Sequence, residues 1–283
     1  MQKIRKSHSI SIFSFLLALN KFKEKGINEF KGITTDHRDT LELMQEALQI
    51  KYSKDEVKTF IADNAKDLNT ILKKNGFDIQ LDESKPFDLG VVTIMDLIGQ
   101  WYLKAEPETV LCENKSYSAG LIKSGACVIT NGEKETLMIR TRRGLCVFIQ
   151  MDDTERSGTD LFYHVFKQAR SLTHSQTPCD AIIPLVDLNH QPDMNWLQGI
   201  QSIDPPLVID KVLQQNRLKI TLDGIHAQSG TALGGVRGLI TGRPQFVINS
   251  PFNIWPSYGD PELQYFPLFV AYVAPDSWKE PKS

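Results

Sequence analysis

No stretch of these 283 residues is apolar for long enough to cross a bilayer as a helix. The run Ile12 to Leu19 near the N-terminus follows Lys3, Arg5 and Lys6 as a secretory signal would. It then meets Lys21, Lys23 and Lys25 instead of a small-x-small cleavage site, so a buried core helix is expected there. An excess of one charge is missing as well. Lysine and arginine number 32 against 34 acidic residues, a net charge of -2, which gives no basic surplus with which to displace counterions from a nucleic acid. Cysteine is scarce: Cys112, Cys127, Cys146 and Cys179 stand far apart without a C-x-x-C pair. That spacing speaks against a zinc or dithiol site and leaves reduced, part-buried thiols as the expectation. No internal repeat, low-complexity tract or linker interrupts the chain.

Catalytic signatures are equally thin. Ser116-Tyr117-Ser118-Ala119-Gly120 lacks the first glycine of a G-x-S-x-G nucleophile elbow. His164, His174 and His190 lie close in sequence, but no two share the i, i+4 spacing of helical zinc ligands. A nucleophilic Cys127 or Cys146 would need a lowered pKa and a partner histidine. The glycines between 230 and 238 lack the Lys-Ser/Thr of a phosphate loop. Neither an enzyme nor a cofactor is expected.

What is present is a helix-rich start followed by strands. Helical periodicity covers residues 9 to 24, 39 to 50 (Asp39 as cap) and 54 to 74, the last capped by Ser53 and ended at Gly76. Gly90 to Gly99 is a near-continuous apolar run that suits a central strand covered on both faces. Shorter strands fit 120–130, 135–142 and 144–151, with turns at Asn131-Gly132 and Arg143-Gly144. A helix fits 157–172, and strands fit 181–187, 217–223, 245–255 and 266–273. Helices first and strands later mean an α+β architecture, and one domain over 1–283 is expected.

The last 60 residues carry a more specific pattern. Ser229-Gly230-Thr231-Ala232 resembles the hinge of the serpin reactive loop, Ile248 to Ile254 the aromatic-x-x-Pro-Phe strand of that family, and Pro267 to Pro275 its closing strand. Upstream, Lys58 to Leu72 is similar to the helix packed over the family's main sheet, and Val92 to Trp101 to the strand that follows it. Leu145 to Asp153, Ile183 to Asp187 and Met194 to Ile200 continue the resemblance in the same order. The departures are clear. The family is usually about a hundred residues longer, there is no room between residues 50 and 55 for the usual helices and edge strands, and Asn216 or Arg217 stands near the place of its shutter histidine.

The resemblance implies a serpin-like fold with N-terminal helices at 1–50, a sheet-covering helix at 51–75, sheet strands at 88–223, a reactive-loop region at 224–250 and C-terminal strands at 251–275. Gly224 to Gln228 reads as a small insertion before the hinge. The hinge falls on Gly230, Thr231, Ala232, Leu233, Gly234 and Gly235, and the candidate scissile positions are Arg237, Ile240 and Arg243. The implied function is that of an exposed loop offered to a protease, as in a suicide-substrate inhibitor. The alternatives are a non-inhibitory binding module and a secreted effector that recognises a partner protein. The expected partner is a protease or another protein, with no nucleic acid, no membrane span and a monomeric state. The cytoplasm is the default compartment, and export without a cleavable signal is the alternative.

Overall fold

A computed structural model describes residues 5–84, 89–131, 134–142, 144–172, 175–226, 243–258 and 265–281. Along the chain, β1 (His8–Ile10) leads into α1 (Ile12–Lys21), and α2 (Thr35–Glu42) and α3 (Met44–Ala47) follow. Then come β2 (Val57–Ala62), α4 (Ala65–Lys74), β3 (Gly90–Met95), β4 (Gly99–Gln100), β5 (Glu106–Cys112), β6 (Lys115–Ile122) and β7 (Ala126–Asn131). After β8 (Lys134–Arg140) and β9 (Leu145–Met151) the chain forms α5 (Gly158–Arg170). The strands β10 (Gln176–Pro178), β11 (Asp180–Pro184), β12 (Val186–His190), β13 (Gln201–Ile203), β14 (Pro206–Val208), β15 (Asn216–Ile220) and β16 (Gly224–His226) precede β17 (Gln245–Val247), β18 (Phe252–Tyr258) and β19 (Val270–Val273).

The largest sheet has seven strands in the order β1-β19-β18-β9-β8-β7-β10, antiparallel throughout. Both of its faces are buried. Along β9, Cys146 and Phe148 join a cluster with α1 and α5, while Val147 and Ile149 join a second cluster with the remaining sheets. Burial on both sides explains why β9 is apolar without a break from Leu145 to Ile149. α1 is the most heavily buried helix end to end: Ile12, Phe13, Phe15, Leu16, Leu17 and Leu19 are all buried, and the Ser11 hydroxyl caps it by accepting from Ser14 N–H at 3.2 Å. The buried core helix expected here is present.

Two smaller four-stranded sheets run β17-β11-β6-β5 and β12-β15-β16-β4, and β2-β3 and β13-β14 form two-stranded pairs. This is a mixed α+β arrangement, as the order of patterns predicts. Several boundaries differ. The helix expected over 54–74 starts only at Ala65, because Val57, Thr59 and Ile61 put β-branched side chains at a period of two and form β2. Its cap is Asn64, accepting from Asp67 N–H at 2.9 Å, not Ser53. The cap of α2 is Thr34 instead of Asp39. The strand expected over 120–130 is the end of β6 and the whole of β7, in different sheets, separated at Gly125 with φ +83°. Residues 181–187 likewise divide between β11 and β12, and 245–255 between β17 and β18.

Candidate functional site

Two half-sheets stand on either side of a cleft. On one side β15 pairs with β12, Ile220 opposite Val186 and Asn216 opposite His190. On the other β3 pairs with β2, from Gly90 opposite Ala62 to Met95 opposite Val57. α4 covers the outer face of β2 and β3 through Leu68 and Leu72 against Val92 and Ile94, and α1 covers the inner face. The central strand expected at 90–99 is therefore covered on both faces, but it is hydrogen-bonded along one edge. Among the described residues β3 and β15 share no ladder. The space between them is a cavity of about 1520 Å³, floored by Phe15 and Leu19 of α1 and by Phe22 just after it, and walled by β3, β15 and the segment 206–215.

One end of the cleft is closed by strand pairing. β16 lies antiparallel between β15 and β4, with Ile225 opposite both Ile220 and Gly99. The backbones are close here: a Cβ on Gly224 would sit 2.2 Å from Gly99 O, and a Cβ on Gly99 would sit 2.6 Å from Ile225 Cγ2. The turn joining β15 to β16 is held by Trp101, which is 2% exposed and donates its ring N–H to Thr221 O at 3.2 Å. Ala105 N–H donates to Leu222 O at 2.7 Å. Gly224 to His226, expected as an insertion before the hinge, is thus a seated strand.

The other end is closed by side chains. Gln214 Oε1 accepts from Ser11 N–H at 2.9 Å, and its Nε2 donates to Ser11 O at 2.9 Å and to Ser14 Oγ at 3.1 Å, so α1 is bound to the foot of β15. Asn216 Nδ2 donates to Gln214 Oε1 at 3.0 Å. Of the two residues near the place of the family's shutter histidine, Asn216 bonds to Gln214 and Arg217 to Asp78. Gln215 reaches the opposite wall at Asp78.

The cleft lining carries charges of both signs, Asp96 and Asp210 among the acids and Lys211 and Arg217 among the bases. Asp96, where the chain passes from β3 to β4, has its carboxyl raised above the ordinary range by burial and by nearby Glu56, against the opposing pull of Lys58. Glu56 in turn accepts from Ser53 N–H at 3.1 Å and from the Tyr258 hydroxyl, whose own pKa is pushed up by burial and by that carboxylate. Among the described residues no cluster of three or more metal-ligating side chains occurs. The four cysteines are free and buried, and burial raises each thiol, Cys179 to about 11, so none is a thiolate nucleophile at neutral pH.

Of the predicted loop positions, Gly230, Thr231, Ala232, Leu233, Gly234, Gly235, Arg237 and Ile240 lie outside the described residues. Arg243 is described and stands directly before β17; the next carbonyl, Pro244 O, accepts from Asp180 N–H at 3.0 Å. Within the span 224–250 expected as the loop region, Gly224–His226 form β16 and Gln245–Val247 form β17. Those two strands belong to different sheets.

No family model matches the sequence, and no curated protein resembles it significantly. Solved structures do resemble the fold. A highly specific serpin of the insect Tenebrio molitor matches at TM-score 0.59 and 12% identity, over 96% of this chain and 92% of that one. Thyroxine-binding globulin in complex with thyroxine matches at TM-score 0.60 and 11% identity, over 97% and 94%. A serpin from the trematode Schistosoma haematobium matches at 0.59 and 12%, over 95% and 93%. The split sheet, the buried helix beneath it and this near-complete coverage agree: the chain has the serpin fold.

Proposed function

We propose that the segment between β16 and β17 is offered to a protease and, once cut, enters the cleft as a further strand. The observation that carries this reading is β16 itself, three residues of strand already hydrogen-bonded on both sides at the head of an otherwise open cleft. Two ladders fix its register independently. If the observed registers were continued past His226, the β15 ladder would set residue 227 opposite Leu218, and the β4 ladder would set residue 231 opposite Thr93 and 233 opposite Val91. Ile225, Leu218 and Ile220 belong to the second cluster, whereas Val91 packs against the first, the one that contains α1. Alternation then directs Ala227, Ser229, Thr231 and Leu233 inward, and Gln228, Gly230, Ala232 and Gly234 toward the side of α4.

This pattern suits entry. The inward side chains are small until Leu233, which would meet the apolar floor near α1. β3 begins at Gly90, opposite position 234, so Arg237 falls beyond the ladder and need not be buried. Arg237 is the favoured scissile position for a protease that selects guanidinium, with Ile240 second. Arg243 is disfavoured, because Pro244 follows it and is already bonded to Asp180.

Incubation with a trypsin-like protease tests the reading. An SDS-resistant adduct is expected in which the protease nucleophile is bonded to the Arg237 carbonyl after the Arg237–Gly238 bond breaks, its mass being the sum of the two chains less the released fragment 238–283. The cut protein should melt tens of degrees higher, because a new ladder and its apolar burial are gained. Cleavage with neither adduct nor rise in melting temperature would overturn it. That outcome would favour the binding-module alternative, which draws support from Gly230, Gly234, Gly235 and Gly238: each glycine ordered into a strand costs about 0.5–1 kcal/mol relative to alanine.

A further inference from the structure

We infer that Gln215 is a clasp across the cleft, a positioning residue that sets how far the half-sheet of β2, β3 and α4 can move from β15. Gln215 is 6% exposed at the foot of β15. Its Oε1 accepts from Asp78 N–H at 2.7 Å and from Ile79 N–H at 3.3 Å. Its Nε2 donates to Asp78 Oδ2 at 3.1 Å and to Asn189 Oδ1 of β12 at 2.8 Å. A primary amide has two donors and two acceptor sites, and all four are used. Three of them reach residues 78 and 79, which belong to the opposite wall because Phe77 and Ile79 pack on the core of Leu68, Leu72, Val92 and Ile94.

The clasp has a second, weaker strand of contacts at the surface. Arg217 Nη2 donates to Asp78 Oδ2 at 3.0 Å, and its guanidinium lies 5.5 Å from the centre of the Phe77 ring. The wall that these contacts hold has its own small core, Leu68, Leu72, Val92 and Ile94, separate from the two larger clusters. Among the described residues this wall has no ladder to β15, and its inner face packs on the cluster that contains α1 through Val57, Ile61, Val91 and Met95, so a shift away from β15 slides over apolar contacts and breaks the directional ties at Gln215. Moving it away from β15 strips Gln215 of three partners while the residue stays buried beside Asn189, which is an expensive way to leave an amide.

The inference rests on the cleft as the place where a strand enters, yet its test reads the clasp directly. Gln215→Ala and Asp78→Ala are compared with the unaltered full chain by amide hydrogen exchange. Residues 77–81 and 89–97 are expected to exchange at least about ten-fold faster in both variants, the factor equivalent to one hydrogen bond of about 1.4 kcal/mol. The seven-stranded sheet should keep its protection, which a general loss of stability would not allow. Asp78 is exposed, so its variant remains folded even if Gln215→Ala does not. A synthetic peptide with the sequence of residues 227–234 provides the second readout, and its uptake should be faster in both variants. Unchanged exchange at 77–81 and 89–97 overturns the clasp whatever the peptide does. Faster exchange with no peptide uptake in any form keeps the clasp and removes the strand-entry reading instead.

Discussion

Asp152 draws its partners from three parts of the chain. It accepts from Thr154 N–H at 2.9 Å, from Arg156 Nη1 at 2.6 Å and from Asn253 Nδ2 at 3.2 Å, and it meets His164 Nε2 at 3.1 Å. Burial works against its charge, but the Thr154 bond and the Arg156 guanidinium prevail and hold its pKa below the ordinary value. His164 is also lowered, first by burial and then by Arg156. A depressed pKa contributes stability above the unfolded value and loses it as pH falls through the folded one, for acids and bases alike. Stability is therefore expected to decline from about pH 6.5 downward through His164, and further below about pH 4 through Asp152. His164→Asn should flatten the first part of that decline in denaturant titrations at several pH values. Asp96 has the opposite sign. Its raised pKa means that ionisation costs native stability above pH 3.8. Asp96→Asn is expected to raise the melting temperature by a few degrees at pH 7, with the gain shrinking toward pH 3.

At the scale of elements, what the sequence disclosed depended on how far local chemistry agreed with its surroundings. α1, α5 and β9 were legible because a buried helix or strand writes its burial into its residues. β2 was not, since Val57, Phe60 and Ile61 satisfy a helical face as well as a strand, and only pairing with β3 decides between them. β5 was missed as well. Its turn to β6 places Glu113 and Asn114 at φ 50° and 64°, a conformation usually advertised by Asn-Gly. The cleft left almost no local trace, because it is formed by β3, β15 and α1 from distant parts of the chain. Gly99 and Gly224 are the nearest thing to one. Neither has a positive φ; each is small because another backbone or side chain occupies the space its Cβ would need. Gly224→Ala is expected to cost about 1–3 kcal/mol in urea unfolding by forcing β16 away from β4.

The molecule as a whole sets a large, doubly covered sheet beside a cleft whose β3 edge has no ladder partner among the described residues. The seven-stranded sheet has both faces buried and ties β1 near one end of the described chain to β19 near the other, through pairs such as His8 with Tyr272. Against that frame, β3 keeps one edge without a ladder partner among the described residues, an arrangement that natural proteins usually avoid because an open edge invites another strand. Trp101 and β16 guard one end of that edge, and Gln214 and Gln215 the other. The seating of β16 has a kinetic consequence. Bringing a free chain end to a sheet edge normally carries a loop-closure penalty before any contact repays it. Under the proposed function that penalty is met during folding, so a strand extending from His226 would need only to zip forward, one residue pair after another, in the direction that β16 already has.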